Sequence, residues 1–419
     1  MRSAETAAGR AGREGVMQAM PVGATTLQGI RTGLCALALL ALAACSRAPA
    51  PVQFHAQGNP PKLSDWHVLQ VADGHLQLNA GVVPYDLNTP LFSDYARKLR
   101  TLWLPAGTAA RYENERPFDF PVGTIVSKTF YYPLPARGDG DTVRGTDVRA
   151  DAIAADGLPL AGVRLIETRL LVRRQEGWIA LPYVWNAEQT DAVLARAGDE
   201  IPLELLRDDG RREKFTYVVP NANQCAGCHA TDNKARAIEP IGLKARHLNR
   251  DYAYVNGDAN QLKHLSDLGY LTGLPGLAAL PRNADWQDDS QPLDRRARAY
   301  LDINCGHCHN PKGPANTSGL TLDSATTETM RLGVCKPPVA AGQGTGNHLF
   351  DIVPGKPGES ILSYRMGSTD PGAMMPELGR GTRHDAGVAL INEWIGATTG
   401  SCALVTPADN ITMVLHTGE

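Results

Sequence analysis

The sequence predicts an α+β multidomain protein, with an N-terminal β-rich, sandwich-like domain followed by two small, mostly α-helical modules. Short alternating segments dominate residues 65–220, and helical periodicity takes over after residue 260. The pentapeptide Cys-x-x-Cys-His also occurs twice in the C-terminal half. A length of 419 residues suits two or three domains, and 43% hydrophobic with 20% charged residues suits a chain that buries a core. The net charge of −3 and the lack of any Lys/Arg-rich run argue against a nucleic-acid partner.

Residues 1–44 read as a lipoprotein signal peptide. Arg31 precedes an apolar run over residues 33–44, too short to span a bilayer as a helix, and small residues close it. The polar residues ahead of this run suit a signal peptide poorly, and a start at Met17 or Met20 repairs that. The ending Leu42-Ala43-Ala44-Cys45 resembles the bacterial lipobox. That resemblance implies cleavage before Cys45, acylation of its thiol and a lipid-anchored, periplasmic chain, with Ser46 favouring the outer membrane. Residues 45–64, rich in Pro, Ala and Gln, read as a tether.

Over 65–220 the elements are strands. In residues 164–174, Ile166, Thr168, Leu170 and Val172 alternate onto one face, and Leu165, Glu167, Arg169 and Arg173 onto a mostly polar one. Gln175-Glu176-Gly177 predicts a turn into a return strand from Trp178, hence a hairpin. Residues 122–132 alternate similarly. Trp103, Trp178, Tyr183 and Trp185 are either core packing or a ligand surface.

Residues 221–290 form the first C-terminal module and 291–419 the second. Lys214–Pro220 reads as a strand leading into the first motif. Leu262, Leu265, Leu268 and Leu271 recur every third residue, predicting a helix, and the Pro/Gly/Asp-rich stretch 273–292 reads as a linker. Pro292 opens an amphipathic helix through Leu301 that runs into the second motif, and Val388, Ile391, Trp394 and Ile395 mark a last helix.

The two motifs are Cys225-Ala-Gly-Cys228-His229 and Cys305-Gly-His-Cys308-His309. Each supplies two thiols for thioether bonds to one haem c and an adjacent imidazole, His229 or His309, as proximal iron ligand. Two covalent haem c groups are therefore expected. A zinc finger needs a second close Cys or His pair after each motif, and neither has one. The leftover Cys335 and Cys402 are expected to pair as a disulfide in an oxidising compartment, while Cys35 leaves with the signal peptide.

Downstream of His309, Met374-Met375-Pro376 lies in a Gly/Pro-rich loop before the last helix. This order resembles class I cytochromes c, which implies Met375 as the distal ligand of the second haem, with Met374 and Met366 as rivals. It also implies Tyr300 and Leu301 packing near Leu390 and Trp394. No Met falls between residues 230 and 329, so His247 or His264 is the expected distal ligand of the first haem, unless that iron is open.

Further segments match: Tyr85–Lys98, Phe120-Pro-Val-Gly-Thr with Lys128-Thr-Phe130, Trp185-Asn with Gln189–Ala192, and Val353–Leu362. Together with both haem motifs they resemble a bacterial family of exported di-haem c-type cytochromes, which implies a periplasmic redox role and a redox partner protein. Electron transfer is the leading expectation. A di-haem peroxidase with an open first haem, aided by Asp232 and Glu239, is the second, and a β-domain recognition module with redox output the third.

Overall fold

The computed structural model describes residues 50–137, 140–339 and 341–403. Cys45 and the signal peptide lie outside the described residues. The described residues from Pro51 to 403 form one compact unit. It is mixed and β-rich, with several sheets.

The centre is a six-stranded antiparallel sheet. We number its strands and those of its covering sheet β1 (Val83–Tyr85), β2 (Arg97–Trp103), β3 (Ile125–Pro133), β4 (Thr142–Gly145), β5 (Val163–Arg174), β6 (Gly177–Trp185), β7 (Ala192–Leu194), β8 (Asp199–Arg207) and β9 (Arg212–Val219). The main order is β7-β6-β5-β3-β2-β1. The expected hairpin is β5–β6, with Gly177 at positive φ where its turn closes. Sheet β9-β8-β4 covers one face, and Phe130, Tyr132, Ile166, Leu205 and Tyr217 fill the space between. Leu63, Trp66, Leu76, Leu170, Val172 and Tyr183 form a second core.

One strand changes phase. Opposite the Phe130/Tyr131 step, β5 carries a register shift, so Leu165 joins the second core while Ile166 joins the first. The expected shared face of Ile166 with Leu170 and Val172 is thereby broken. The polar face of β5 is also not a solvated one: Glu167 is fully buried, in a two-pronged pair with Arg169 (2.8 and 2.5 Å) and a 2.7 Å bond from the Tyr217 hydroxyl.

Two stretches expected as free chain are packed. Within 51–64, Val52 and Phe54 lie on the second core, Gln53 N donates to Trp66 O, and Leu63 is buried. Their apolar side chains outweigh the tether-like Pro and Ala composition. In 273–292, Asn283, Ala284 and Trp286 are buried, and the Thr89 hydroxyl donates to Ala284 O at 2.8 Å. Tyr183 and Trp185 are core residues whose polar atoms are spent internally, on Trp66, Pro60 and Thr168.

The helices are α1 (Ala222–His229), α2 (Ala245–Leu248), α3 (Gln261–Asp267), α4 (Leu293–Leu301), α5 (Ile361–Gly367) and α6 (Asp385–Ala397). α3 stops short of Leu271 because Gly269 takes a left-handed conformation, leaving Leu268 exposed and Leu271 paired with Ala110 in a short strand. Tyr300 and Leu301 of α4 share a core with Leu390 and Trp394 of α6, and Trp394 Nε1 donates to Asp294 at 2.9 Å. Among the described residues no helix is long and apolar enough to cross a membrane.

A buried ion pair joins α2 to the end of α4. Arg246 donates to both oxygens of Asp302, at 2.6 and 2.9 Å, and Asn283 and Ser324 also donate to that carboxylate. Against the upward push of burial, His247, Arg246 and Lys244 hold the Asp302 carboxyl below its usual range. Asp302→Ala leaves the Arg246 guanidinium buried and unpaired, with an expected loss of about 3–5 kcal/mol in urea unfolding. Burial also lowers the imidazole of His247 to about 3. The unfolded chain therefore binds more protons than the folded one from about pH 6.5 downward. Stability is expected to fall as pH drops from about 6.5 toward 3, and His247→Gln is expected to flatten that slope in unfolding curves collected across this range.

Candidate functional site

The fold brings the two Cys-x-x-Cys-His segments into contact. The first sits on α1, which starts directly after β9 and Pro220. Asn221 caps it, accepting from Asn223 N and Gln224 N, while Gln224 Oε1 accepts from Asn221 N. The second follows α4 in a π-type turn, Asp302–Gly306, which carries Cys305. Cys228 and Cys308 are neighbours, and Cys308 Sγ donates to Gly227 O inside the first motif at 3.7 Å. Beside them, Asn233 N donates to Lys312 O at 2.7 Å. All four motif thiols are free of disulfides, whereas Cys335 and Cys402 are bonded to each other as expected.

Both motif histidines are held in one tautomer. His229 Nδ1 lies 2.7 Å from Glu239 O, which only accepts, so Nδ1 carries the proton and Nε2 keeps its lone pair. His309 Nδ1 lies 3.0 Å from Ser318 Oγ, whose own hydrogen goes to Ala315 O at 2.7 Å, so the same assignment follows. Burial lowers each imidazole to about 4, which keeps it neutral as a metal ligand must be. Such a second bond is what orients a ligating histidine.

Each motif faces a cavity. Cys225, Cys228 and His229 line the larger one, together with apolar side chains such as Leu87, Ile241 and Leu243. The neighbouring cavity is lined by Cys305, His309, Leu320, Leu322, Met366 and Met375. Met375 and Met366 border both cavities, while Met374 is buried and borders neither. Arg380 pins the methionine loop: its buried guanidinium donates to the carbonyls of Arg365, Ser368, Met375 and Thr382.

His247 and His264 line neither cavity. His247 is buried beside Asn283 and the Arg246–Asp302 pair, and His264 stacks on Tyr254 with ring centroids 3.6 Å apart. Asp232 caps its own turn, accepting from Lys234 N and Ala235 N at 2.9 Å, and the Glu239 carboxylate accepts from Thr231 Oγ1. Neither acid lines the larger cavity.

Several lining residues escaped the sequence reading. Arg100, Lys128 and Arg169 project from β2, β3 and β5, and of these alternation placed only Arg169, on the mostly polar face of its strand. Burial and the two neighbouring guanidinium groups lower the Lys128 amine to about 7, and its Nζ makes no hydrogen bond or ion pair to the described residues. No Asp or Glu is among the lining residues. His307, inside the second motif, also lines this cavity. His384 accepts from the Tyr300 hydroxyl at 2.8 Å and donates to Asp147 at 2.9 Å.

The segment Phe92–Tyr95 grips both parts of the second site. Phe92 N donates to Asn304 beside Cys305, and Asp94 accepts from Gly381 N, Thr382 N and Thr382 Oγ1 at 2.8–3.0 Å. Among the described residues no cluster of three or more His, Cys, Asp or Glu side chains is placed to hold a bare metal ion. No family model, curated protein or solved structure matches the chain.

Asp94→Ala strands three buried donors on the loop after Met375, with an expected loss of about 2–4 kcal/mol. In urea unfolding Asp94→Asn, which keeps one acceptor oxygen, is expected to lose less.

Proposed function

We propose that the chain is a di-haem c-type cytochrome that carries electrons between a periplasmic donor, such as a dehydrogenase, and the respiratory chain. The contact between the two Cys-x-x-Cys-His segments is the observation that carries this reading. The residues present fit a haem c at each motif: two unpaired thiols at the attachment spacing, an imidazole whose Nε2 is free, and a largely apolar cavity, lined by Cys225, Cys228 and His229 at the first and by Cys305 and His309 at the second. Cys225 and Cys228 would hold the first group and Cys305 and Cys308 the second, with His229 and His309 on the irons. When bound, such a group supplies one-electron exchange with no atom transferred.

This chain's residues set the conditions for that exchange. The carbonyl of Glu239 and the hydroxyl of Ser318 fix the two imidazoles. Apolar lining keeps water away, and Arg380 fixes the backbone at Met375, the residue we assign to the second iron. The C-terminal half then corresponds to two cytochrome c-like modules joined at Cys228 and Cys308, and Met375 with His309 favours a high potential there. Export through residues 1–44 and acylation at Cys45 complete the proposal, placing the chain in the periplasm on a lipid anchor, with a redox protein as partner.

Expressed with cytochrome maturation machinery, the processed chain is expected to keep two haem masses after denaturation and extraction with acidified organic solvent. A bare-chain mass overturns the reading. Met375→Ala is expected to abolish the near-infrared His/Met charge-transfer band of the ferric protein while Met366→Ala keeps it. Labelling with a radioactive fatty acid is expected in the wild type and absent in Cys45→Ala.

A further inference from the structure

We infer that His307, a spacer residue of the second motif, supplies the sixth ligand of the iron held by His229. This deepens the di-haem reading and rests on it. Three observations converge on His307. Its side chain is buried, with 5% of the residue exposed, so its polar atoms need partners inside the protein. Its Nδ1 finds none among the described residues. The ring lines the same cavity as Cys225, Cys228 and His229, and lies against the Cys228 thiol.

Placement explains how a residue of the second motif reaches the first site. Cys228 and Cys308 are neighbours, so the residue next to Cys308 necessarily lies at the first motif. With Cys228 committed to a thioether, His307 Nδ1 is still without a partner among the described residues. A buried imidazole whose Nδ1 has no partner, lining the cavity of the first motif, is placed to bind the iron held there.

The other donors lining this cavity are already engaged or less suited. Both His384 nitrogens are bonded, to Tyr300 and Asp147. Met366 and Met375 also border the cavity of Cys305 and His309, where a distal sulfur is needed. Lys128 is the remaining rival. Its amine has to shed a proton before it binds iron, and it stands between Arg100 and Arg169 on a sheet face. His247 and His264 are elsewhere.

The test is near-infrared magnetic circular dichroism and electron paramagnetic resonance on the ferric protein, after intact mass has counted two covalent haems. The wild type is expected to show one bis-imidazole and one His/Met low-spin centre. In His307→Gln the bis-imidazole band is lost and a high-spin centre replaces it, and added imidazole restores the band. His307→Met, which keeps a donor, is expected to give two His/Met centres and a raised potential for the first. Lys128→Met leaves the bis-imidazole band in place. The inference is overturned if the band survives in His307→Gln, if the wild type lacks it, or if Lys128→Met removes the first centre's ligation. A chain without covalent haem overturns the underlying reading as well, so the two failures are told apart by mass alone.

Discussion

The bond between Arg246 and Asp302 is the constraint on which the arrangement at the two motifs depends. Asp302 opens the turn that carries Cys305, and Arg246 lies on the short helix following the first motif. A carboxylate and a guanidinium withdrawn from water are costly unless each finds the other in good geometry and the remaining lone pairs are filled. Here Asn283 and Ser324 fill them, and Glu115 O takes a further Arg246 hydrogen. Such a group tolerates no slippage, so α4 and the turn after it are fixed relative to the chain around α2.

A second set of ties runs from the sheet. Asp94 holds the loop after Met375, Tyr95 donates its hydroxyl to Arg383 O and accepts from Asp385 N, and Arg207 reaches Asp385. The loop that presents Met375 is therefore shaped from outside by strands far away in sequence. Residues 51–403 consequently behave as a single packed body, in which the β-rich part is a wall of the site rather than an appendage.

Local chemistry was legible in the sequence, and long-range chemistry was not. The Cys-x-x-Cys-His spacing is a property of five consecutive residues, so Cys225–His229 and Cys305–His309 stand out as motifs in the sequence. The β5–β6 hairpin, the strand before the first motif, α4, α6 and the Cys335–Cys402 bond were readable for similar reasons: each follows from a short pattern or from counting. Asp94 meeting Thr382 has no such pattern. Alternation separated the faces of β5 from Glu167 onward, yet it misplaced Leu165 and Ile166, which a bulge moves across, and could not say that the charged face looks into a cavity. His307 was hidden differently. A residue counted as a spacer was not weighed as a functional group, although an imidazole in that position was visible.

The cationic lining of the larger cavity has a consequence of its own. Arg100, Lys128, Arg169 and Arg380 border it, with Arg100 paired to Asp86 and Arg169 to Glu167 behind the lining, in a medium that screens charge poorly. Those pairs commit two guanidinium charges to the protein's own carboxylates, and the Lys128 amine, lowered to about 7 by burial and its neighbours, is left as a lining cation whose charge varies near neutral pH. The charge of this interior therefore follows the pH of its surroundings.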